Sequence, residues 1–545
     1  MPSLGSAQGL SGSYLAGELA TRENNYAASS QYYVRAMAQD PKNTALMERA
    51  AISFVSAGEL QRAKPIVRLM QDRGLATDLT RLMDLAFLMK AGEYDKVLDV
   101  IETIEVSPFE RALGAWALVG QGKPNAALDV LADLEKLNGM RGFSQYHTAL
   151  IRAYVGDLEM AADMLAKDGI TILPMSRRTL ITHATILAEL ERHSDALAVL
   201  DYGFAARTDP SLSALYARIA AGAPFAFDQI QNVYQGAAEV LHFVSSNYKD
   251  NSDDEVLLIY ARLADELAPG NVDALLDTAD YLERLQNYDL AIKIYEKIPV
   301  DHEAYVRATI GRAEALQAAE KPEEALDVLG QLSATYPDLA LSWTIQGHIL
   351  SRQKKYAEAR AMYDRSIDLT PTPSQIHWHL FFSRGVTNER LGDWEKAEAD
   401  FKMSLALNPK EARVLNYLGY SLLERKERLD EALVYIQDAV RAEPDSGYIV
   451  DSLGWAYFRT GEYDKALVQM ERAVNLLATD GIVTDHLGDV YWAVGRITEA
   501  QFQWRRALSF GLETEEDEDR IRRKIELGLD QVLADEGSAP LKVQN

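Results

Sequence analysis

Few side chains in this sequence are of a type and spacing that could bind a metal ion or catalyse a reaction. His377 and His379 flank Trp378, and a His-x-His pair can ligate a metal ion. Residues two apart point to different sides of a helix, however, and no trio of carboxylates lies close by in the sequence. We therefore favour a packed loop or a polar surface here, and we predict neither a metal nor any other cofactor.

Sequence motifs of enzymes are also missing. The chain has no Gly-x-x-x-x-Gly-Lys phosphate loop, no dinucleotide-binding glycine fingerprint, no Gly-x-Ser-x-Gly elbow and no His-Glu-x-x-His zinc helix. It contains no cysteine, which excludes disulfides, thiolate metal sites and cysteine nucleophiles. We predict that the protein is not an enzyme.

The net charge limits the classes of partner that this protein is expected to bind. With 82 acidic and 56 basic residues, the formal net charge is −26. Such a field repels phosphate backbones and anionic lipid surfaces, so we expect no nucleic-acid partner. No apolar run approaches the 18 or so residues that a membrane span needs, so we expect no direct membrane insertion. A neutral or basic protein segment suits this field, although a solvated acidic surface without a binding role explains it equally.

The elements that position these side chains follow from a repeat. An alanine recurs 34 or 35 residues apart, with one interval of 38, at Ala291, Ala325, Ala359, Ala397, Ala432, Ala466 and Ala500. A small residue precedes each by twelve positions, or by thirteen before Ala432, as at Gly454 and Gly488, and a large apolar residue follows four later, as at Met470 and Trp504. A fixed period of this length predicts a stack of identical units that share one continuous core.

Each unit reads as a helical hairpin. Apolar residues at offsets of three, four and seven define one helix face, and breaks such as Thr460-Gly461-Glu462 separate two such runs. A glycine inside a helix costs about 1 kcal/mol relative to alanine. Its recurrence at one register therefore predicts close approach of the paired helices, with the bulky residue filling the space around the contact.

This pattern resembles the tetratricopeptide repeat. The best matching unit runs from Val450 through Leu453-Gly454-Trp455 to Tyr457, followed by Ala466 and Met470. The resemblance implies an all-α solenoid, a superhelix of helix-turn-helix repeats with a C-terminal capping helix. The pentatricopeptide repeat has a similar period, but it reads RNA and would carry basic residues.

The repeat signature predicts the following organisation of the chain. A disordered tail covers residues 1–9, a degenerate array 10–206, a well-formed array 271–512, a capping helix 513–536 and a second disordered tail 537–545. Between them the register is lost over residues 207–270, which we interpret as an irregular helical segment or kink. A loop that touches a partner and a degenerate or elongated repeat are the alternatives.

The C-terminal third is similar to exported Gram-negative tetratricopeptide scaffold proteins, some of which are outer-membrane lipoproteins. The resemblance rests on Asn416-Tyr417-Leu418-Gly419-Tyr420, on Asp451 to Tyr457 and on Asp485 to Asp489. It implies a periplasmic or outer-membrane-associated protein, and a cytoplasmic protein is the alternative. The chain as given shows no secretory signal, and it has no cysteine for a lipid anchor.

In tetratricopeptide stacks, positions 2, 5, 9, 12 and 13 of each first helix line the concave face. Carried onto this sequence, they predict a partner-binding face that mixes aromatic and charged residues, a composition typical of interaction hot spots. The predicted residues are Arg413, Asn416, Tyr420, Tyr448, Asp451, Trp455, Phe458, Arg459, Asp485, Asp489 and Trp492. The alternative is that Trp455 and Trp492 only pack against a neighbouring helix.

The sequence thus predicts a scaffold or adaptor that binds a partner protein or peptide on its concave face. A regulatory or substrate-delivery subunit of an envelope enzyme complex, such as an adaptor of a periplasmic protease, is the alternative. Chaperone tails gripped by a carboxylate clamp are disfavoured, because Asp451, Asp485 and Asp489 would repel a terminal carboxylate.

Overall fold

The computed structural model describes residues 9–103, 105–166, 177–203, 210–249, 252–302, 304–512, 514–538 and 541. Most of both predicted tails therefore lies outside the described residues. The described residues form 31 α-helices and no strand. The all-α solenoid of helical hairpins is confirmed.

The chain divides into two compact units, residues 1–332 and 333–545. The boundary falls inside a helix rather than near residue 271. The reason is that the helices after residue 271 pack back onto the start of the chain. For example, the Asn287 side-chain amide donates to the carbonyl of Asn24 across 2.7 Å.

The helices up to the boundary begin with the degenerate array. They are α1 Leu10–Arg22, α2 Tyr26–Gln39, α3 Thr44–Ser56, α4 Leu60–Asp72, α5 Asp78–Ala91, α6 Tyr94–Thr103, α7 Pro108–Gly120, α8 Pro124–Glu135, α9 Arg141–Tyr154, α10 Leu158–Met164, α11 Arg177–Glu189, α12 His193–Gly203, α13 Pro210–Ala220, α14 Val233–Asn247, α15 Asp254–Leu267, α16 Val272–Arg284, α17 Tyr288–Tyr295, α18 Tyr305–Ala318 and α19 Pro322–Thr335.

The second unit continues with regular pairs. They are α20 Ala340–Arg352 with α21 Tyr356–Asp368, α22 Trp378–Arg390 with α23 Trp394–Leu407, α24 Ala412–Glu424 with α25 Leu429–Ala442, α26 Gly447–Thr460 with α27 Tyr463–Leu476, and α28 Gly481–Ala493 with α29 Ile497–Phe510. Two short helices follow, α30 Glu515–Leu527 and α31 Leu529–Asp535.

Glycines of the first helices hold each pair together, as their recurrence predicted. A Cβ atom built on each would lie only 2.5–2.9 Å from a bulky side chain of the second helix. The contacts are Gly347 with Tyr363, Gly385 with Phe401, Gly419 with Ile436, Gly454 with Met470 and Gly488 with Trp504. All seven alanines of the ladder are fully buried. The residues that recur in the sequence are therefore the ones at the contacts between paired helices.

The segment predicted as irregular, 207–270, contains a hairpin that packs against the first unit's own repeats. Its first residues, 207–209, lie outside the described part of the chain. Helices α14 and α15 contact α3, α5, α7 and α9, the first helices of four earlier pairs. The buried ring of Trp116 packs against Gly236, where a side chain would clash with it. The Arg262 guanidinium donates to the carbonyl of Ser56, at the end of α3, across 3.2 Å. This hairpin covers the first helices of those four pairs.

The predicted capping helix, 513–536, is two helices in the structure. Gly528 has a φ of +83°, in the left-handed region that favours glycine, and it ends α30. Of the predicted apolar stripe, Ile521, Leu529 and Val532 are buried, and Ile525 is half-buried. Ile521, Leu529 and Ile525 join the core of the last repeat pair.

Candidate functional site

The first helices of the second unit line one continuous face. Helix α20 contacts α22, α24 contacts α26, and α26 contacts α28, whereas the second helices make fewer contacts with each other. The stack is therefore tighter on the side of the first helices, which makes that side concave. We call the exposed surface of α20, α22, α24, α26 and α28 the first-helix face.

An aromatic and acidic cluster forms the middle of this face. The Trp455 ring stacks between Phe458 and His486, with ring centroids 4.9 and 4.1 Å apart and interplanar angles of 17°. Its indole N–H donates to Glu424 Oε1 across 3.3 Å, and Arg459 donates to the same oxygen across 3.1 Å. Because its orientation is fixed on both faces and at its nitrogen, Trp455 presents a rigid aromatic edge to solvent.

Two acidic residues set the electrostatics of this cluster. Burial opposes protonation of His486, but Asp451, whose carboxylate oxygens lie 3.0 and 3.1 Å from Nδ1, raises the pKa of the imidazole above its usual value. Burial, Glu424 and Asp451 together raise the pKa of Tyr420 to about 12. The site thus presents a phenol that stays protonated and two carboxylates, of which Glu424 accepts a hydrogen bond from Arg459 and Asp451 contacts His486.

Three other predicted residues lie nearer the starts of their helices. Tyr448 is 61% exposed, and the neighbouring Ile482 is 43% exposed. Arg413 is exposed, bonds Glu411 across 2.8 Å and lies over the Trp378 ring, 5.0 Å from its centroid. The side-chain oxygen of Asn416 is buried and accepts no hydrogen bond from any residue that the structure describes. These positions form an apolar edge and supply an acceptor without a partner among those residues.

The last three predicted residues lie beneath the C-terminal helices. The Lys524 ammonium lies 2.7–2.9 Å from all four carboxylate oxygens of Asp485 and Asp489, and its side chain is fully buried. The Trp492 indole donates to Asp530 across 2.9 Å, and its ring fills the space left by Gly528. The structure therefore does not bring these three into the open part of the face.

Sequence reasoning missed His486 and Lys524. His486 stands at position six of its helix, outside the five positions that define the face, and it reaches Asp451 on the preceding first helix. Two aspartates four residues apart, 485 and 489, share one helix face and require a cation nearby if buried. That spacing was the available signal, but it does not say which lysine or arginine supplies the charge.

The His377-Trp378-His379 sequence lies where a short turn meets the start of α22. His377 ends a short 3-10 turn, Gln375–His377, and accepts a hydrogen bond from the Ser374 amide across 2.9 Å. Burial lowers the pKa of His379. Across the described ranges, no three or more histidine, aspartate or glutamate side chains are grouped so as to hold a metal ion.

A serine, a histidine and an aspartate meet in the first unit, but their geometry favours a structural role. Ser246 Oγ lies 3.2 Å from Nε2 and 3.3 Å from Nδ1 of His242, so it aligns with neither nitrogen. It donates instead to Asp277 Oδ2 across 2.9 Å. Burial opposes protonation of His242, but Asp277 raises its pKa. The group ties α14 to α16.

None of the helices in the described ranges combines the length and the apolar character that crossing a bilayer requires.

Comparison with known proteins agrees with the repeat register. The family model described as "Tetratricopeptide repeat" matches residues 310–372 and 384–447. A TPR repeat-containing protein of Pseudomonas aeruginosa is 28% identical over 159 residues, 29% of this chain and 26% of that protein. A lipoprotein NlpI homolog of Haemophilus influenzae is 45% identical over 89 residues, 15% of this chain and 26% of that protein. The chain thus spans about a quarter of the length of these relatives.

Two solved structures are also similar to this chain. One belongs to the APC/C hetero-tetramer Cut9–Hcn1, with 16% identity, 93% of this chain and 95% of that chain covered, and a TM-score of 0.38. The other is yeast Tom70, with 14% identity, 79% and 98% covered, and a TM-score of 0.36.

Proposed function

The chain carries tetratricopeptide repeats, and from this premise we propose that it is a scaffold or adaptor without catalytic activity that binds a partner protein on the first-helix face of its second unit. One observation carries the proposal: this face displays a rigid aromatic and acidic surface, whereas α14 and α15 cover the corresponding helices of the first unit. Rigid aromatic side chains give large contact areas at low entropic cost.

The arrangement suits a segment with apolar anchors and a basic residue. Tyr448 and Ile482 supply exposed apolar area, and Trp455 supplies an oriented ring. Glu424 and Asp451 disfavour a terminal carboxylate at this site and favour a cation.

The test compares two matched pairs of exposed apolar residues in the second unit. Tyr448→Ala with Ile482→Ala removes the edge of the first-helix face. Val468→Ala with Phe502→Ala removes side chains of similar exposure, 62% and 63%, from second helices. We expect partners captured from a native extract to be lost with the first pair and retained with the second. The reverse result would assign binding to the second-helix side.

A regulatory or substrate-delivery subunit of an envelope enzyme complex is the second candidate. It is favoured by the 45% identity to a protein named a lipoprotein, and the same likeness supports a place in the bacterial envelope. Recovery of an enzyme in stoichiometric amounts from the envelope fraction would support it. Recovery of several unrelated proteins, from the envelope or from the cytosol, would favour a general scaffold.

A further inference from the structure

The ends of four first helices in the second unit carry a row of charged side chains. Register position 13 is Arg352 on α20, Arg390 on α22, Glu424 on α24 and Arg459 on α26. Glu424 and Arg459 pair with each other across 3.1 Å. Arg352 and Arg390 are both exposed, and neither forms an ion pair with any residue that the structure describes. The row therefore begins with two cations that lack an acidic partner there and continues with an ion pair.

Both arginines lie near other side chains of the first helices. Burial, a neighbouring imidazole and Arg352 lower the pKa of His348 to about 4, which places Arg352 near position 9 of its own helix. Burial and Glu389 raise the pKa of Tyr417 on α24, and Arg390 opposes this shift, which places Arg390 near the next first helix. The two guanidinium groups are therefore part of the first-helix face, and the neutral His348 imidazole adds no charge to them.

The two arginines are one repeat apart along the stack. Helices α20 and α22 contact each other, and His348 Nε2 lies 3.3 Å from Ser383 Oγ between them. Packed helices lie roughly 10 Å apart, and an extended chain advances about 3.3 Å per residue. A segment that crosses both helices therefore brings side chains about three residues apart to the two guanidinium groups.

The charges of the face differ between its two ends. The chain carries a net charge of −26, so most of its surface repels an acidic segment. Arg352 and Arg390 attract such a segment locally, and a guanidinium group matches the geometry of a carboxylate. Farther along the face, Glu424 and Asp451 favour a cation. A partner segment of one charge sign would therefore fit only one end of the face.

We propose that the partner segment on the first-helix face is extended and carries two acidic side chains about three residues apart, which bind Arg352 and Arg390, in addition to its basic residue near Trp455. This inference rests on the proposed function, since it assigns the chemistry of the partner at the same face. It also extends the partner site to the first two repeat pairs of the second unit.

The test uses the full chain and a labelled synthetic peptide of the pattern Glu-x-x-Glu-x-x-Leu-Lys-Leu, with serine at each x. Fluorescence anisotropy measures its affinity for the unchanged chain and for Arg352→Glu with Arg390→Glu. The variant is expected to bind on the order of tenfold more weakly, because like charges then face each other. A peptide with glutamine in place of both glutamates should bind the unchanged chain more weakly as well. Equal affinities of the two peptides, or no binding of the glutamate peptide, would overturn the proposal.

A matched control separates this contact from the effect of net charge. Arg365→Glu with Arg505→Glu changes the net charge by the same amount, on the second helices α21 and α29. Both arginines are exposed, and neither forms an ion pair within the described part of the chain. Peptide affinity should change by less than about threefold, because salt screens charges that do not contact the peptide. A loss as large as that of the first variant would contradict recognition at Arg352 and Arg390.

An exchange of charges keeps the test decisive if the variant disturbs packing. A peptide with lysine in place of both glutamates should bind Arg352→Glu with Arg390→Glu on the order of tenfold more tightly than the glutamate peptide does, the reverse of the order for the unchanged chain. The same order of affinities in both chains contradicts a direct contact. If the peptides fail while Tyr448→Ala with Ile482→Ala still loses its partner, the partner lacks the acidic pair and the proposed function stands.

Discussion

At the scale of single residues, the close packing of the paired helices depends on glycines. Gly488 lies in the middle of α28, where the ring of the fully buried Trp504 would stand 2.5 Å from an added Cβ. Trp504 cannot move freely, because its indole nitrogen donates to Asp489. The glycine is therefore a packing residue, and its helix-weakening cost is offset by the contact it allows.

We predict that Gly488→Ala destabilises the protein by about 1–3 kcal/mol, the usual cost of overpacking a core. The intrinsic helix preference of alanine, about 1 kcal/mol, opposes this but is smaller at a clash this close. The measurement is the midpoint of urea unfolding followed by helix ellipticity.

Gly330→Ala is the matched control. Gly330 also lies inside a helix, α19, but no atom lies within 4 Å of an added Cβ. Its midpoint should rise slightly or stay unchanged. A fall of similar size in both variants would show that the contact with Trp504 is not the cause.

At the scale of elements, the hairpin of α14 and α15 covers the first helices of the first unit. An ion network fastens it. Arg178 on α11 pairs with the buried Glu239 on α14 and, across 2.5 Å, with Asp273 on α16. Tyr146 on α9 donates to Glu239 across 3.2 Å. Three helices thus meet at the carboxylate of Glu239, and Arg178 links a fourth, α16, through Asp273, so their positions depend on the charge of Arg178.

Arg178→Met is expected to cost about 3–5 kcal/mol, because Glu239 would remain buried without its cation. The loss should appear as faster hydrogen exchange in α14, since this helix carries the orphaned carboxylate. Arg192→Met removes an exposed arginine of the same unit, paired with Asp195 and Glu159 at the surface, and should change stability by less than about 1 kcal/mol. Protection of α14 that survives Arg178→Met would refute a fastening role.

At the scale of the whole molecule, buried histidines give stability a defined dependence on pH. Burial lowers the pKa of His147 to about 3 and that of His183 to about 4, from 6.5. Both stay neutral in the folded chain, whereas the unfolded chain takes up their protons below pH 6.5. Stability therefore falls as the pH drops from 6.5 toward the folded values.

Two other histidines act in the opposite window. The pKa values of His242 and His486 are raised, because Asp277 and Asp451 outweigh the effect of burial. Their contribution is complete below pH 6.5 and is lost as the pH rises through the folded values. Below pH 6.5 the raised pair therefore adds no slope, whereas the histidines with lowered pKa values do, and these include His348, whose pKa burial lowers to about 4.

We predict that the midpoint of thermal unfolding falls between pH 6.5 and pH 4.5. His147→Gln should flatten this slope, since the residue that takes up a proton on unfolding is gone. His302→Gln, which changes a half-buried histidine in the turn before α18, should keep it. A slope that is the same in all three chains would exclude His147 as its origin.

Much of the fold was predictable from the sequence, because in a repeat protein the residues that contact each other recur at a fixed spacing. The glycine and alanine registers predicted the helix pairs and their close approach, and the structure shows both at Gly454 and Gly488. The face of the first helices was also predictable by position. The register placed Tyr420, Asp451, Phe458 and Arg459 on the same face as Trp455, and their binding of a partner stays a prediction.

The rest required long-range contacts. The sequence by itself determined that each pair forms, since the partners of Gly488 lie within one repeat and meet through local helix geometry. Only the tertiary structure decided that α14 and α15 fill the first unit, and that Lys524 covers Asp485 and Asp489. These contacts join residues far apart in the chain. Many charge pairs are possible in the sequence, and which of them form depends on which side chains become buried when the helices pack.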